Sequence, residues 1–288
     1  MPTLFAPAKI NMTLEILARR PDGYHELRSL MAPIGLFDRI DLAAAAYTSV
    51  ASNVAGLETD NLVSRALTRA GVATPMQVTL QKEIPVGGGL GGGSSDAAAV
   101  LLAARSGALG AVPDQDWIAT ARSLGSDIPF FLAGTAAVIE GTGEVLTPAR
   151  SMPPWWVVVV RPTVAVATAD AYRRLAASRP HGPPHRPREG CATLLALQAL
   201  EAADFAALER CLINDFHELI LHAYPLVARA HAAMVAAGAP RALLSGSGSC
   251  LFAFFEHEHR AHTTARAIKE SDAIAEIFVA PLTTTQPA

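Results

Sequence analysis

The stretch richest in chemical potential is Gly87 to Ser95, GGGLGGGSS, where six of the seven residues from Gly87 to Gly93 are glycine. Glycine removes side-chain bulk and permits positive φ, so successive backbone N–H groups can converge on one anion. Ser94, Ser95 and Asp96 then open a run of helix formers, DAAAVLLAAR. The first N–H groups of a helix are unpaired and its dipole favours negative charge there. Together these features predict a phosphate cradle. A flexible linker is the bland alternative, but a linker need not lie between a patterned strand and a patterned helix.

Two well-known phosphate loops do not fit. The Walker A pattern fails because Gly93 stands where its lysine belongs. The dinucleotide fingerprint G-x-G-x-x-G is matched literally by Gly87, Gly89 and Gly92, with Asp114 or Asp116 at about the ~20-residue offset of its acid. That acid needs a strand to carry it, whereas Gly107 to Gln115 has loop composition and a second helical pattern follows.

Lys9 and Asp127 are candidates of a different kind. Taken alone, Lys9 reads as a solvated lysine on the polar face of a strand. Asp127, in GSDIPFF, precedes a proline in the first turn of a helix and reads as an N-cap. Beside a bound γ-phosphate, however, such a carboxylate could accept the proton of a substrate hydroxyl. Ser245 to Ser249, SGSGS between two apolar runs, is a second small-residue loop that reads as a hairpin or bulge. His257, His259 and His262 are interleaved with Glu256, Glu258 and Arg260, a solvated pattern, and no metal is assigned to them.

The elements that must position these residues alternate between strand and helix. Ala8 to Ile16 alternates apolar and polar residues and predicts one half-buried strand with Lys9, Asn11, Thr13 and Glu15 on its polar face. Arg20-Pro21-Asp22-Gly23 is turn chemistry. Strands are predicted at Asp38 to Leu42 and Met76 to Lys82, with a helix at Asp60 to Ala70 capped by Asp60 or Asn61. Helices are predicted from the Ser94 to Asp96 opening to before Gly107 and from Asp116 to Leu124, then strands at Ala136 to Glu140 and Trp155 to Val160. Pro148, Pro153 and Pro154 mark a boundary between a domain spanning 1–152 and one spanning 153–288. In the second, Pro180 to Gly190 is a proline-rich surface loop, with four prolines in eleven residues. Helices are predicted at Ala192 to Ala203, Phe205 to Leu219 and Pro225 to Ala237, and a strand, glycine loop and strand around Leu243 to Phe255.

The 288 residues are 51% hydrophobic and 17% charged with a formal charge of −3, the composition of a globular protein rather than a disordered or nucleic-acid-coating one. The longest stretch free of Asp, Glu, Lys and Arg, Leu42 to Leu57, is too short and too polar for a membrane span. No secretory signal pattern opens the chain, and Cys191, Cys211 and Cys250 form no paired framework, so a cytoplasmic protein with reduced thiols is expected.

Five motifs in order resemble the GHMP kinase superfamily: Ala6-Pro-Ala-Lys-Ile-Asn11, Arg20-Pro-Asp-Gly-Tyr-His25, Pro85-Val-Gly-Gly-Gly-Leu-Gly-Gly-Gly-Ser-Ser95, Gly125-Ser-Asp-Ile-Pro-Phe-Phe131 and Leu244-Ser-Gly-Ser-Gly-Ser249. The likeness covers nearly the whole chain. It implies an α+β, two-domain architecture: an N-terminal α+β domain carrying the phosphate loop and a C-terminal ferredoxin-like α/β domain, with the cleft between them. It further implies ATP with Mg²⁺, and a small-molecule acceptor of the cytidine diphosphate sugar alcohol class phosphorylated on its 2-hydroxyl, with neither nucleic acid nor membrane as partner.

By the same resemblance, Pro85, Val86, Gly87, Gly88, Gly89, Leu90, Gly91, Gly92, Gly93, Ser94 and Ser95 hold the nucleotide together with Lys82. Asp127 is implied as base and Lys9 as its partner. Asn11 is implied for the sugar-alcohol portion, Tyr24 and His25 as readers of the base, and Thr168 and Tyr172 as further substrate contacts, Tyr172 standing where a phenylalanine is expected. A sibling kinase for homoserine, mevalonate or a sugar, and a catalytically silent nucleotide-binding module, are the competing expectations.

Overall fold

The computed structural model describes residues 2–20, 25–179, 188–269 and 271–283. Its first half is built on one long strand. β1 (Thr3–Asn11) and β2 (Thr13–Arg19) lead into β3 (His25–Ala44), a twenty-residue strand that serves as the hub of the larger sheet. Successive segments of β3 pair antiparallel with β2, with β1, with β5 (Met76–Gln81) and with β6 (Ala137–Gly141). β4 (Ser49–Ser52) adds parallel to β5, and β7 (Val145–Pro148) adds antiparallel to β6.

Four helices cover one face of this sheet: α1 (Leu62–Arg69), α2 (Gly92–Arg105), α3 (Trp117–Leu124) and α4 (Ile128–Ala133). Asn61 caps α1 by accepting from Val63 N–H, and Asp116 caps α3 by accepting from Ile118 and Ala119 N–H, as their positions in sequence predict. Helix α2 is buried almost all round, from Ser95 to Ala104, which explains its run of alanines: small side chains let α1, α4 and the sheet approach closely.

The second half centres on β8 (Trp156–Pro162) in a four-stranded antiparallel sheet of order β10-β11-β8-β12, with β10 (Leu243–Leu244), β11 (Leu251–Phe255) and β12 (Ile274–Pro281). Val157 and Val159 face one core while Val158 and Val160 face another, so a strand buried on both faces carries four consecutive valines. Helices α5 (Thr168–Ser178), α6 (Ala192–Glu201), α7 (Phe205–Cys211), α8 (His217–Ala223), α9 (Pro225–Ala236) and α10 (Glu258–Ala267) pack around it.

Three expectations need correction. The strand predicted from Ala8 to Ile16 is two strands divided by a bend at Met12, and its polar face is not solvated. Lys9, Asn11, Thr13 and Glu15 are all buried: Thr193 at the start of α6 bonds Thr13 Oγ1 at 2.8 Å and Glu15 Oε2 at 2.7 Å, while Lys9 and Asn11 bond each other beneath the glycine loop. The helix predicted from Phe205 to Leu219 is broken by the two-residue strand β9 (Ile213–Asn214), which runs parallel to β2 and joins the large sheet. Asn214 enforces the break: its side chain donates to the carbonyls of Leu244 and Gly246 and accepts from Phe216 N–H, competing with helical bonding. The helix expected to open at Ser94 to Asp96 begins two residues earlier, at Gly92. Of the proline-rich loop, residues 180–187 lie outside the described residues, as does Tyr24. Among the described residues no single helix is long and apolar enough to cross a membrane.

Candidate active site

The glycine loop joins β5 to α2 and is braced from three sides. Beneath it, the buried Asp38 accepts backbone N–H groups of Glu83 at 2.7 Å and Ile84 at 2.9 Å, which fixes the turn leading to Pro85. From β1, Lys9 N–H donates to Leu90 O at 2.9 Å. From the second half, Ser245 donates its hydroxyl to Gly89 O at 3.0 Å, and Cys250 N–H donates to Gly88 O at 3.1 Å. The SGSGS segment, which does connect the antiparallel β10 and β11, is therefore also a buttress of the phosphate loop.

Two glycines show why no other residue serves. Gly89 has φ +79°, and a Cβ there would collide with the Ser245 carbonyl. Gly91, at φ +73°, is the N-cap of α2, and a Cβ there would lie 3.0 Å from both Lys9 Cγ and the Phe131 ring. Left-handed glycines alternating with ordinary backbone turn consecutive N–H groups toward one side, the geometry of an anion nest.

Two clefts meet at this loop. One, of about 510 Å³, lies between the loop and the segment from Gly56 to Leu62. The other, of about 1300 Å³, lies between the two halves of the chain and gathers Lys9, Asn11, His25, Asp127, Thr168, Tyr172 and Phe216. Leu62, Gly89, Gly91 and Ser94 line both. The loop is thus a shared wall through which a group bound in one cleft faces a molecule bound in the other.

In the larger cleft, Lys9 Nζ donates to Asn11 Oδ1 at 2.5 Å and lies 3.9 Å from Asp127 Oδ2. Asn11 donates to Ser29 Oγ, which donates to the Thr13 carbonyl, so a buried polar chain holds the lysine in place. Burial lowers the Lys9 pKa, and the Asp127 charge opposes that shift. Asp127 occupies the N-cap position of α4 but makes no side-chain cap bond; its carboxylate is turned to the cleft and is 41% exposed there. The capping role expected of it from sequence is not the one it performs. Pro129 in the first turn starts the helix in its place.

His25 and Tyr172 pack with ring centroids 4.9 Å apart and planes tilted by 35°, and Tyr172 meets Phe216 edge-on at 4.9 Å. Burial, with the Asp127 charge adding to it, pushes the Tyr172 hydroxyl up to about 12. Thr168 and Ser247 share a hydrogen bond of 3.0 Å across the cleft mouth. Phe216 is absent from the residues singled out by sequence, and Ser247 is singled out there only as part of the SGSGS loop. The Asn214-Asp215 pair inside an apparent helix is the signal that a break places Phe216 in the site.

Two predicted nucleotide contacts are placed differently from the rest: Ser95 is buried and lines a separate cavity across α2, and Lys82 lies beneath the loop. Its ammonium sits under Gly92, paired with the buried carboxylates of Asp38 and Asp96, the latter at 2.6 Å. Its charge is therefore committed to the floor of the loop. Burial pushes the Asp96 carboxyl up to about 7, with the Asp38 charge adding to the rise and Lys82 pulling against it. A carboxylate raised from 3.8 in the unfolded chain binds more protons in the folded state, so its contribution to stability falls as pH rises from about 4 to about 7. Thermal unfolding of Asp96→Asn across that range should show a flatter pH profile than the natural chain, the difference closing at low pH.

Comparison with known proteins bears on what this site belongs to. Residues 61–135 match the family model of the GHMP kinases N terminal domain, and residues 196–273 that of the GHMP kinases C terminal. The 4-diphosphocytidyl-2-C-methyl-D-erythritol kinase of Geobacter metallireducens is 38% identical over 93% of this chain and 94% of its own length. The chain belongs to this family of GHMP kinases. The kinase of the same name from Symbiobacterium thermophilum is 41% identical over 84% of this chain and 86% of its own. A crystal structure of 4-(cytidine 5'-diphospho)-2C-methyl-D-erythritol kinase superposes with a TM-score of 0.75 at 35% identity, covering 98% of this chain and 99% of that one. Homoserine kinase from Cytophaga hutchinsonii, at 19% identity and a TM-score of 0.71, shares the fold. The two-domain GHMP kinase architecture expected from the motifs is the one observed.

Proposed function

We propose that this kinase transfers the γ-phosphate of ATP to the 2-hydroxyl of 4-(cytidine 5'-diphospho)-2-C-methyl-D-erythritol, a step on the non-mevalonate route to isoprenoid precursors. The observation that carries the proposal is the glycine nest at the junction of two clefts, with Lys9 and Asp127 on the acceptor side of it. ATP occupies the smaller cleft with its phosphates against the amides of Gly87 to Gly93 and the N-terminus of α2. Asp127 accepts the proton of the 2-hydroxyl as its oxygen bonds to the γ-phosphorus and the bond to the β-phosphate oxygen breaks, releasing ADP. Lys9, held by Asn11, orients Asp127 and faces the charge that gathers on the transferred group.

Mg²⁺ fits as an ion carried by ATP. Among the described residues no group of three His, Cys, Asp or Glu side chains is placed to hold a metal, whereas Mg²⁺ is usually held by substrate phosphates and water with few protein ligands. Ser94, which lines both clefts, would lend it an oxygen. The ion neutralises charge on the β- and γ-phosphates when bound.

The aromatic group of His25, Tyr172 and Phe216 supports a cytosine-reading role, which the sequence motif assigns to Tyr24 as well, because rings stack on a base and imidazole bonds its edge. Asn11 and Thr168 are assigned to the sugar-alcohol side. Lys82 acts on the nucleotide by holding the loop from beneath. The domain division at 152/153 is supported by sheet membership, since β1 to β7 lie in the large sheet and β8 opens the small one, with β9 crossing back. Unpaired Cys191, Cys211 and Cys250 suit a reducing cytoplasm.

Purified protein given ATP, Mg²⁺ and the cytidine substrate should release ADP, and homoserine or mevalonate in its place should not support release. His25→Ala should raise the KM for the cytidine substrate by roughly tenfold or more while that for ATP stays level, since a lost stacking and bonding partner is worth about 1–3 kcal/mol. The opposite split would move His25 to the nucleotide side. Gly89→Ala should lower stability by about 1–3 kcal/mol, the cost of a strained left-handed residue, and weaken ADP binding in calorimetry by displacing the loop from Ser245.

A further inference from the structure

Helix α2 separates the nucleotide cleft from a third cavity that the phosphoryl transfer does not use. Gly92, Gly93 and Asp96 face the nucleotide; Ser95, Ala98, Ala99 and Leu102, at helical spacing, line a cavity of about 180 Å³ on the opposite side. Phe130 and Phe131 of α4 form its other wall. Gly134 is exposed at its mouth and Leu102 is half-buried beside it. The lining is mainly apolar, with half-buried Thr135 and Thr283 and the fully buried Ser95 as its hydroxyl side chains. Ser95 is 1% exposed, and its Oγ has no hydrogen-bond partner. A buried hydroxyl in that state gains from any ligand that supplies a partner.

We propose that this cavity is a binding site for a small, mainly apolar molecule carrying one hydroxyl, which bonds Ser95 Oγ. A dry cavity of about 150 Å³ accommodates benzene, so the size suits a ligand of about six to ten non-hydrogen atoms. The site is coupled to the nucleotide loop. The Phe131 ring that lines it also abuts Gly91, at the point where a Cβ would lie 3.0 Å from both the ring and Lys9 Cγ. An occupant that moves Phe131 therefore acts on the cap of α2. The coupling, though not the site, rests on the assignment of that loop to ATP.

The test is a titration of the full chain with phenol, followed by NMR of labelled phenylalanine rings, with toluene as the hydroxyl-free control. Saturable shifts of Phe130 and Phe131 are expected, with a Kd on the order of 1 mM for a ligand of this size. Ser95→Ala should weaken phenol about three- to tenfold and leave toluene unchanged, the worth of one hydrogen bond. Leu102→Trp, which fills the mouth from a half-buried position, should abolish binding of both. Saturating phenol should change ADP affinity in calorimetry about fivefold or more, within the usual range of couplings. Absence of saturable shifts, or shifts undiminished in both variants, overturns the site. Phenol bound with ADP affinity unchanged overturns the coupling. Failure of ADP to bind at all would count against the kinase assignment and leave the cavity result standing.

Discussion

Asp127→Asn is expected to lower turnover by about 10² to 10⁴ and leave ATP binding nearly intact, the pattern of a lost general base. The expectation rests on what Asp127 does not do. Its side chain makes no bond to the first turn of α4, so asparagine removes no cap and α4 remains started by Pro129. Asparagine keeps the shape of the side chain but cannot take the hydroxyl proton, and it leaves Lys9 Nζ bonded to Asn11 alone. Single-turnover kinetics alongside ADP calorimetry separates the two effects. Parallel losses in turnover and nucleotide affinity would show that Asp127 supports the loop rather than the chemistry.

Lys82→Met should produce the largest loss of stability, about 3–5 kcal/mol, the usual result of removing one partner from a buried ionic cluster. Asp38 and Asp96, both buried, would face each other without the ammonium that lies between them. Asp38 keeps its two backbone donors from Glu83 and Ile84, whereas Asp96 Oδ1 has no partner even with Lys82 present. The strain therefore falls mainly on Asp96. The double variant Lys82→Met with Asp96→Asn should accordingly recover part of the loss, because it removes the carboxylate with the poorer surroundings. Chemical denaturation of the single and double variants measures both numbers. No recovery in the double variant would place the cost in lost packing instead of unpaired charge.

Local chemistry made much of this molecule legible in sequence, and its failures have one cause. Asn61 and Asp116 announce their helices because capping is decided within three residues, and the glycine loop announces an anion site because backbone conformation is a local property. Lys9 and its strand neighbours look solvated from their alternation, since nothing local tells that the glycine loop will close over Lys9 or that Thr193, 180 residues after Thr13, will bond it. Lys82 presents the same difficulty: its partners Asp38 and Asp96 come from β3 and α2, and only the assembled sheet shows that its charge is spent beneath the loop. Phe216 is hidden by an apparently continuous helix, and the break depends on Asn214 reaching the carbonyls of Leu244 and Gly246. Asp127 is the instructive case, because its position satisfies the rule for a cap while its side chain serves the cleft.

A structure of the chain with a non-hydrolysable ATP analogue and the cytidine substrate bears most directly on the central claim. The triphosphate should lie against the amides of Gly87 to Gly93, the base of the substrate among His25, Tyr172 and Phe216, and its 2-hydroxyl within hydrogen-bond reach of Asp127 and in line with the γ-phosphorus. A triphosphate bound away from the glycine loop, or a 2-hydroxyl that faces neither Asp127 nor the γ-phosphate, would contradict it.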